Sequence, residues 1–144
     1  TFVTSEISEE KVSENVTLYS GSWGNPALTD PEIKKLYEKS KLTIIPLKDS
    51  LQPSGQSVAL QSMMTGTPVL ITKTSGLWDT TQLIDKENIF FLNENSLNTW
   101  IDKIVSLYNN DNELSMISKN SIKTVEDFFS TELFYENIKK LIKI

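Results

Sequence analysis

Two short, unbroken apolar runs constrain the fold most: Leu42-Thr43-Ile44-Ile45-Pro46-Leu47 and Val69-Leu70-Ile71-Thr72. Runs of this length, rich in β-branched residues, suit strands buried on both faces, as in a parallel sheet. Between them, Ser57 to Met64 reads as a helix that Gly66 closes and Pro68 follows. Its Val58, Leu60, Met63 and Met64 are available for packing. An earlier helix starts at Thr29 or Asp30, either of which can cap it, and ends at Lys39-Ser40-Lys41. Its Ile33, Leu36 and Tyr37 share one face. Residues 1–5 and Val16 to Tyr19 read as strands, and Asn88 to Leu92 as the last strand.

Ser75 to Asp79 reads as a turn into a short helix ending about Leu83. Two helices follow, about Leu97 to Asn109 and about Glu113 to Phe129, the second with a potential break. A third restarts at Ser130-Thr131-Glu132 and runs to the C-terminus. Leu97, Trp100, Ile101, Ile104 and Leu107 form a helical stripe expected in the core. Strands alternating with helices imply an α/β chain with a parallel sheet and right-handed crossovers. The ligand crevice of such a sheet lies at the carboxyl ends of its strands. That rule selects Gly21–Asn25, Lys48–Ser57, Thr72–Asp79 and the turn after Leu92.

Composition removes several classes of function. The chain has no cysteine and no histidine. Disulfides, thiolate metal sites and triads built on His or Cys are therefore excluded. The formal net charge is −5, so a nucleic acid is not an expected partner. All the basic residues are Lys, which leaves no bidentate Arg clamp for phosphate. The carboxylates do not cluster at ligand spacing, and no metal or other cofactor is expected. With no long apolar run and no signal segment, the expected location is cytoplasmic, and a membrane-peripheral parent stays open.

The loop Gln52-Pro53-Ser54-Gly55-Gln56-Ser57 joins a buried strand to a helix N-terminus. Free N–H groups and the positive end of the helix dipole suit a diphosphate there. The alternative is an ordinary loop with Ser54 or Ser57 as N-cap. Gln52 and Gln61 can hold sugar hydroxyls as neutral amides, or simply be solvated. Gly21 and Ser22 follow a strand, and Trp23 either stacks on a base or packs. Gly76, Leu77, Trp78 and Asp79 lie where a donor sugar could sit, with Asp79 equally suited to cap the next helix. Lys48 and Lys73 each follow a buried strand and could meet phosphate, Asp49 being a candidate partner for Lys48.

Together these segments resemble the C-terminal domain of glycosyltransferase family 4, the retaining GT-B enzymes. The residues that carry the resemblance are DPEIKKLYEKSKLTIIP (30–46), QPSGQSVALQSMMTGTPVLIT (52–72), GLWDTTQLI (76–84) and the closing strand and helices (87–130). The resemblance implies a Rossmann-like doubly wound sheet, about residues 1–96, with C-terminal helices from about 97 to 144. It implies that Pro53 to Ser57 contact the diphosphate and sugar of a nucleotide-diphospho-sugar. Gln61 stands where the family's ribose-binding Glu falls, and Gln52 near its donor-facing Glu. Gly21, Ser22 and Trp23 fall on the base side, and Gly76 to Asp79 beside the donor.

Both family glutamates are Gln here, and their separation is one residue longer than usual. A chain opening at Thr1, already in strand, reads as an excised piece. The domain's opening strand and helix and a whole N-terminal acceptor domain are expected outside it. The parent is then expected to be a hexosyltransferase-like enzyme, and this piece alone inactive or nearly so and prone to self-association. A non-catalytic nucleotide-sugar module of the same fold is the alternative. A sugar-nucleotide epimerase is disfavoured by the missing His, and a signalling receiver by the absence of an Asp cluster at the first strand's end.

Overall fold

In a computed structural model, residues 1–4, 13–22 and 24–142 are described. The chain forms two compact units, Thr1–Leu36 and Tyr37–Ile144. The first holds strands β1 (Phe2–Thr4) and β2 (Leu18–Ser20), paired in parallel with Val3 opposite Tyr19. It also holds most of helix α1 (Asp30–Lys39). Of the two candidate caps for α1, Thr29 is the one engaged. The Glu32 carboxylate accepts its main-chain N–H at 2.8 Å and its hydroxyl at 2.6 Å, the reach-back of a capping box.

The second unit is a three-stranded parallel sheet in the order β3-β4-β5: β3 (Thr43–Ile45), β4 (Val69–Thr72) and β5 (Phe90–Leu92). Ile44 lies opposite Leu70, and Ile71 opposite Phe91. Helix α2 (Gln56–Met64) links β3 to β4. Helices α3 (Leu97–Tyr108), α4 (Asp111–Phe128) and α5 (Thr131–Ile142) follow the sheet. All four residues of β4 are buried, as its unbroken apolar sequence requires. On one face, Ile45, Val69, Ile71 and Phe91 pack with Ala59 and Met63 of α2 and Val125 of α4. On the other, Leu70, Phe90 and Leu92 pack with Trp100 and Leu107 of α3 and Leu114 and Ile117 of α4. With helices on both faces, the sheet is doubly wound. Each fully buried side chain of this size contributes about 1.5–3 kcal/mol.

Four local expectations are corrected. Helix α2 buries Ala59, Ser62 and Met63, whereas Val58 and Met64 are exposed. Small residues let α2 approach the sheet, and the Ser62 hydroxyl lies 2.8 Å from Thr43 Oγ1 and 3.0 Å from the Thr67 carbonyl. In α3, Leu97 and Ile101 are exposed, and the helix packs on the sheet through Trp100 and Leu107. Helix α4 runs without a break. No helix forms between Asp79 and Leu83. Side chains take the backbone donors of that segment: Asp79 accepts from the N–H groups of Thr81 and Gln82, and Asn88 from that of Ile84.

Candidate functional site

The three loops at the carboxyl edge of the sheet are clasped to one another. After β3, the Leu47 N–H donates to Thr72 Oγ1 at 2.9 Å, and the Asn95 amide donates to the Leu47 carbonyl at 3.0 Å. Asn95 Oδ1 in turn accepts the indole N–H of Trp100 at 2.7 Å. The Asp49 carboxylate accepts the Ser75 N–H at 2.7 Å and its hydroxyl at 3.1 Å. These bonds, the N–H first, hold the Asp49 carboxyl below its ordinary pKa. Asp49 is thus tied to the loop after β4 and not to Lys48, correcting the pairing expected from adjacency. Gly76 packs so closely on the backbone of Ser50 and Leu51 that any Cβ there would overlap them.

Helix α2 starts inside this clasp. Its N-cap is Gly55, in the left-handed region at φ 74°, and no side chain caps the helix. Neither Ser54 nor Ser57 fills the capping role. A Cβ on Gly55 would lie 3.1–3.2 Å from side-chain carbons of Ile45, Ile71 and Leu47. Glycine therefore lets the turn rest on the ends of β3 and β4, and the first-turn N–H groups of α2 remain open. Gln52, Pro53, Ser54, Gln56, Ser57 and Gln61 are all exposed.

Lys48 and Lys73 are exposed, and the Lys73 ammonium lies 5.7 Å from the centre of the Phe91 ring. Asp79 sits in its own turn. Partial burial pushes its carboxyl up, but the N–H groups of Gln82 and Thr81 and the Thr81 hydroxyl outweigh that and hold it below the usual value. These loops thus carry two lysines and two aspartates, so their formal charges offset. Trp78 packs against the core, as does Leu77, and its indole N–H is buried without a partner. Lys73, Leu77, Thr80, Leu83, Ile84, Asp85 and Phe91 line a cleft of about 200 Å³. That is below the ~300–1,000 Å³ of ordinary ligand pockets. Among the described residues no three carboxylates gather into a metal-binding group. No helix among them is long and apolar enough to cross a membrane.

Gly21 and Ser22 belong to the first unit. Ser22 and Asn25 exchange two backbone hydrogen bonds of 3.0 Å, and Gly21 accommodates the close approach of Ala27. The space beside Gly21 is thus filled by its own loop. Trp23 lies outside the described residues.

A similar fold is found in a solved structure. It is the C-terminal domain of a glycosyl transferase group 1 family protein (LpcC) from Francisella tularensis. The similarity has a TM-score of 0.61 at 20% identity, over 79% of this chain and 54% of that one. The chain has the Rossmann-like α/β fold of that domain. It spans about half of that domain's length. No protein-family model matches the sequence, and no curated protein matches it.

Sequence reasoning missed Asp49 and Asn95 as the residues that bind the loops together. Asn95 could have been found, since it lies in the turn after β5 and precedes the capping Ser96 of α3. Nothing local marks Asp49, whose partner lies 26 residues away.

Proposed function

We propose that this chain is part of the donor-binding half of a retaining glycosyltransferase, and that its carboxyl-edge loops take a nucleotide-diphospho-sugar. The uncapped N-terminus of α2, opening between the clasped loops at Gly55, carries the reading. Diphosphate oxygens accept from the N–H groups of Gln56 and Ser57, where the helix dipole favours negative charge. In the transfer step those same donors stabilise the charge that develops on the leaving diphosphate, and no metal is needed for that role. Gln61 and Gln52 hold ribose and sugar hydroxyls, and Gly76 to Asp79 flank the donor sugar. Lys48 and Lys73 add secondary attraction to phosphate. The parent passes the glycosyl group, hexose-like, to a glycan, lipid or other acceptor held by an N-terminal domain. The 144-residue chain alone lacks that acceptor side and is expected to be inactive or nearly so.

A second reading, a non-catalytic module of the same fold, is favoured by one observation. Both amides, Gln52 and Gln61, stand where the resemblance places carboxylates, and neither can act as acid or base. The two readings share the site and differ in turnover.

The test is an NMR titration of the 144-residue chain with UDP-, GDP- and ADP-hexoses. Affinity is expected to be weak, on the order of 1 mM or about 4 kcal/mol, of which the helix N-terminus supplies only ~1–2 kcal/mol and the remaining contacts the rest. The amides of Gly55, Gln56 and Ser57 should shift first. Shifts elsewhere, or none with any donor, would reject the site. Donor turnover by the longer parent separates the enzyme from the binding module.

A further inference from the structure

Strand β3 ends at Ile45, and the next residue, Pro46, has no N–H to carry the ladder on. Leu47 lies beyond the ladder, and side chains take both its backbone groups. Its N–H goes to the Thr72 hydroxyl at 2.9 Å, and its carbonyl accepts from the Asn95 amide nitrogen at 3.0 Å. The Asn95 amide can sit only one way round. An indole N–H donates and cannot accept, so the atom 2.7 Å from Trp100 Nε1 is the oxygen. A backbone carbonyl accepts and cannot donate, so the nitrogen faces Leu47. The Thr72 hydroxyl lies 3.5 Å from the same amide oxygen. One side chain thus joins the carboxyl ends of all three strands: β3 through Leu47, β4 through Thr72, and β5 through its own place after Leu92.

Leu47 also lies under the Gly55 turn. A Cβ at Gly55 would be 3.1 Å from Ile45 Cγ2, 3.2 Å from Ile71 Cδ1 and 3.2 Å from Leu47 Cδ1. Ile45 and Ile71 are fixed within β3 and β4. Leu47 is the one support of the three that lies outside the sheet, and Asn95 holds it.

We propose that Asn95 is a positioning residue for the donor site. By holding Leu47 it fixes the Gly55 turn, and with it the direction of the first-turn N–H groups of α2, without touching the donor. This role rests on the reading of that helix start as the diphosphate site. Asn95 is exposed, so water competes for its bonds and they contribute little to folding. Their effect falls on the alignment of donors that must be in place before the ligand arrives.

Two substitutions separate the two ends of the amide. Asn95→Asp keeps an acceptor for Trp100 and sets a carboxylate oxygen against the Leu47 carbonyl, whereas Asn95→Ala removes both bonds. In donor-free NMR spectra both should move the amide signals of Leu47, Gly55, Gln56 and Ser57. Only Asn95→Ala should release the Trp100 indole N–H, read as an upfield shift. In the titration with UDP-, GDP- and ADP-hexoses both should weaken binding by about 5-fold. Asn93→Asp, which adds the same charge two residues away, and Ser96→Ala, which removes the neighbouring cap, should change affinity by less than about 2-fold. Gly55, Gln56 and Ser57 amides that stay unmoved in both variants overturn the proposal, and so does unchanged affinity when those amides move. A loss of affinity with the turn unmoved would make Asn95 a direct donor contact, and a loss confined to Asn95→Ala would assign it to the packing of α3. Either outcome rejects the positioning role. A wild-type chain that binds none of the donors removes the donor site itself, and the donor-free spectra still decide whether Asn95 holds the turn.

Discussion

Helices α2 and α3 both begin at the carboxyl edge of one sheet, after β3 and after β5, and they begin differently. Helix α3 opens at Ser96, whose side chain accepts the Thr99 N–H at 3.2 Å, with Asn95 alongside holding Trp100. Helix α4 opens likewise at Asn110, which accepts from Glu113. Helix α2 opens at a left-handed glycine with no side-chain cap. A side-chain cap contributes about 1 kcal/mol, so α2 does without a stabilising interaction that its neighbours use. The difference separates two kinds of helix start. At α3 the Thr99 N–H is taken by Ser96 within the chain, and at α2, where no side chain caps, the first-turn N–H groups are the ones the proposed donor site would use.

The comparison breaks most sharply at Gly55. Replacing it with Val puts a β-branched residue at φ 74° and drives its Cβ against Ile45, Ile71 and Leu47. Strain and overpacking together are expected to cost about 3 kcal/mol, read as a lower urea midpoint. Donor shifts at Gln56 and Ser57 should vanish as well, because the helix start must move. If Gly55→Val keeps both stability and binding, the turn does not rest on the sheet as described.

At α3 the expected outcome is the reverse pairing of effects. Ser96→Ala should cost about 1 kcal/mol of stability and leave donor affinity unchanged, since its cap faces inward. A loss of affinity without a loss of stability would show that α3, and not α2, presents its N-terminus to the donor.

Much of this contrast could be read before the fold was known, and the unread parts share a cause. The buried strands, their order along the chain and the helix after Gly55 follow from apolar runs and local punctuation. The four loop segments follow from the carboxyl-edge rule. The capping alternatives at Ser54 and Ser57 looked plausible because composition favours Ser at a cap. Only the packing of Gly55 on Ile45 and Ile71, from two separate strands, decides against them. The helix expected from Asp79 to Leu83 failed for the same reason. Asn88, the side chain that takes the Ile84 N–H, is held by Thr124 of α4 as well as by Gln82. Asp49–Ser75 and Asn95–Leu47 are likewise long-range pairs, invisible to spacing. Local sequence fixes where elements lie, and tertiary hydrogen bonds fix which loops act together.

Gln61 tests the other end of α2 with a smaller effect. It is exposed, so Gln61→Leu should change stability by less than about 0.5 kcal/mol. Loss of one neutral hydroxyl contact should weaken donor binding by about 5–10-fold, measured in the same titration. Unchanged binding would remove Gln61 from the site and leave the Gly55 turn as the whole of it.

The smallest expected effect is acid opening of the Asp49–Ser75 clasp, and its sign is fixed by the direction of the pKa. The folded carboxyl lies below its ordinary value because Ser75 donates to it through its N–H and its hydroxyl. The clasp's contribution is therefore complete above the unfolded value of about 4 and is lost as pH falls through the lower folded value. The Ser75 amide should stay protected from exchange down to about pH 4 and become labile below it, while the Thr99 amide under Ser96 should show no such step. Asp49→Asn should remove the step, since a neutral amide still accepts hydrogen bonds but does not titrate with the carboxylates. If the Ser75 amide instead showed no step in acid, or Asp49→Asn kept the step, the Asp49 carboxylate would not be what holds the two loops together.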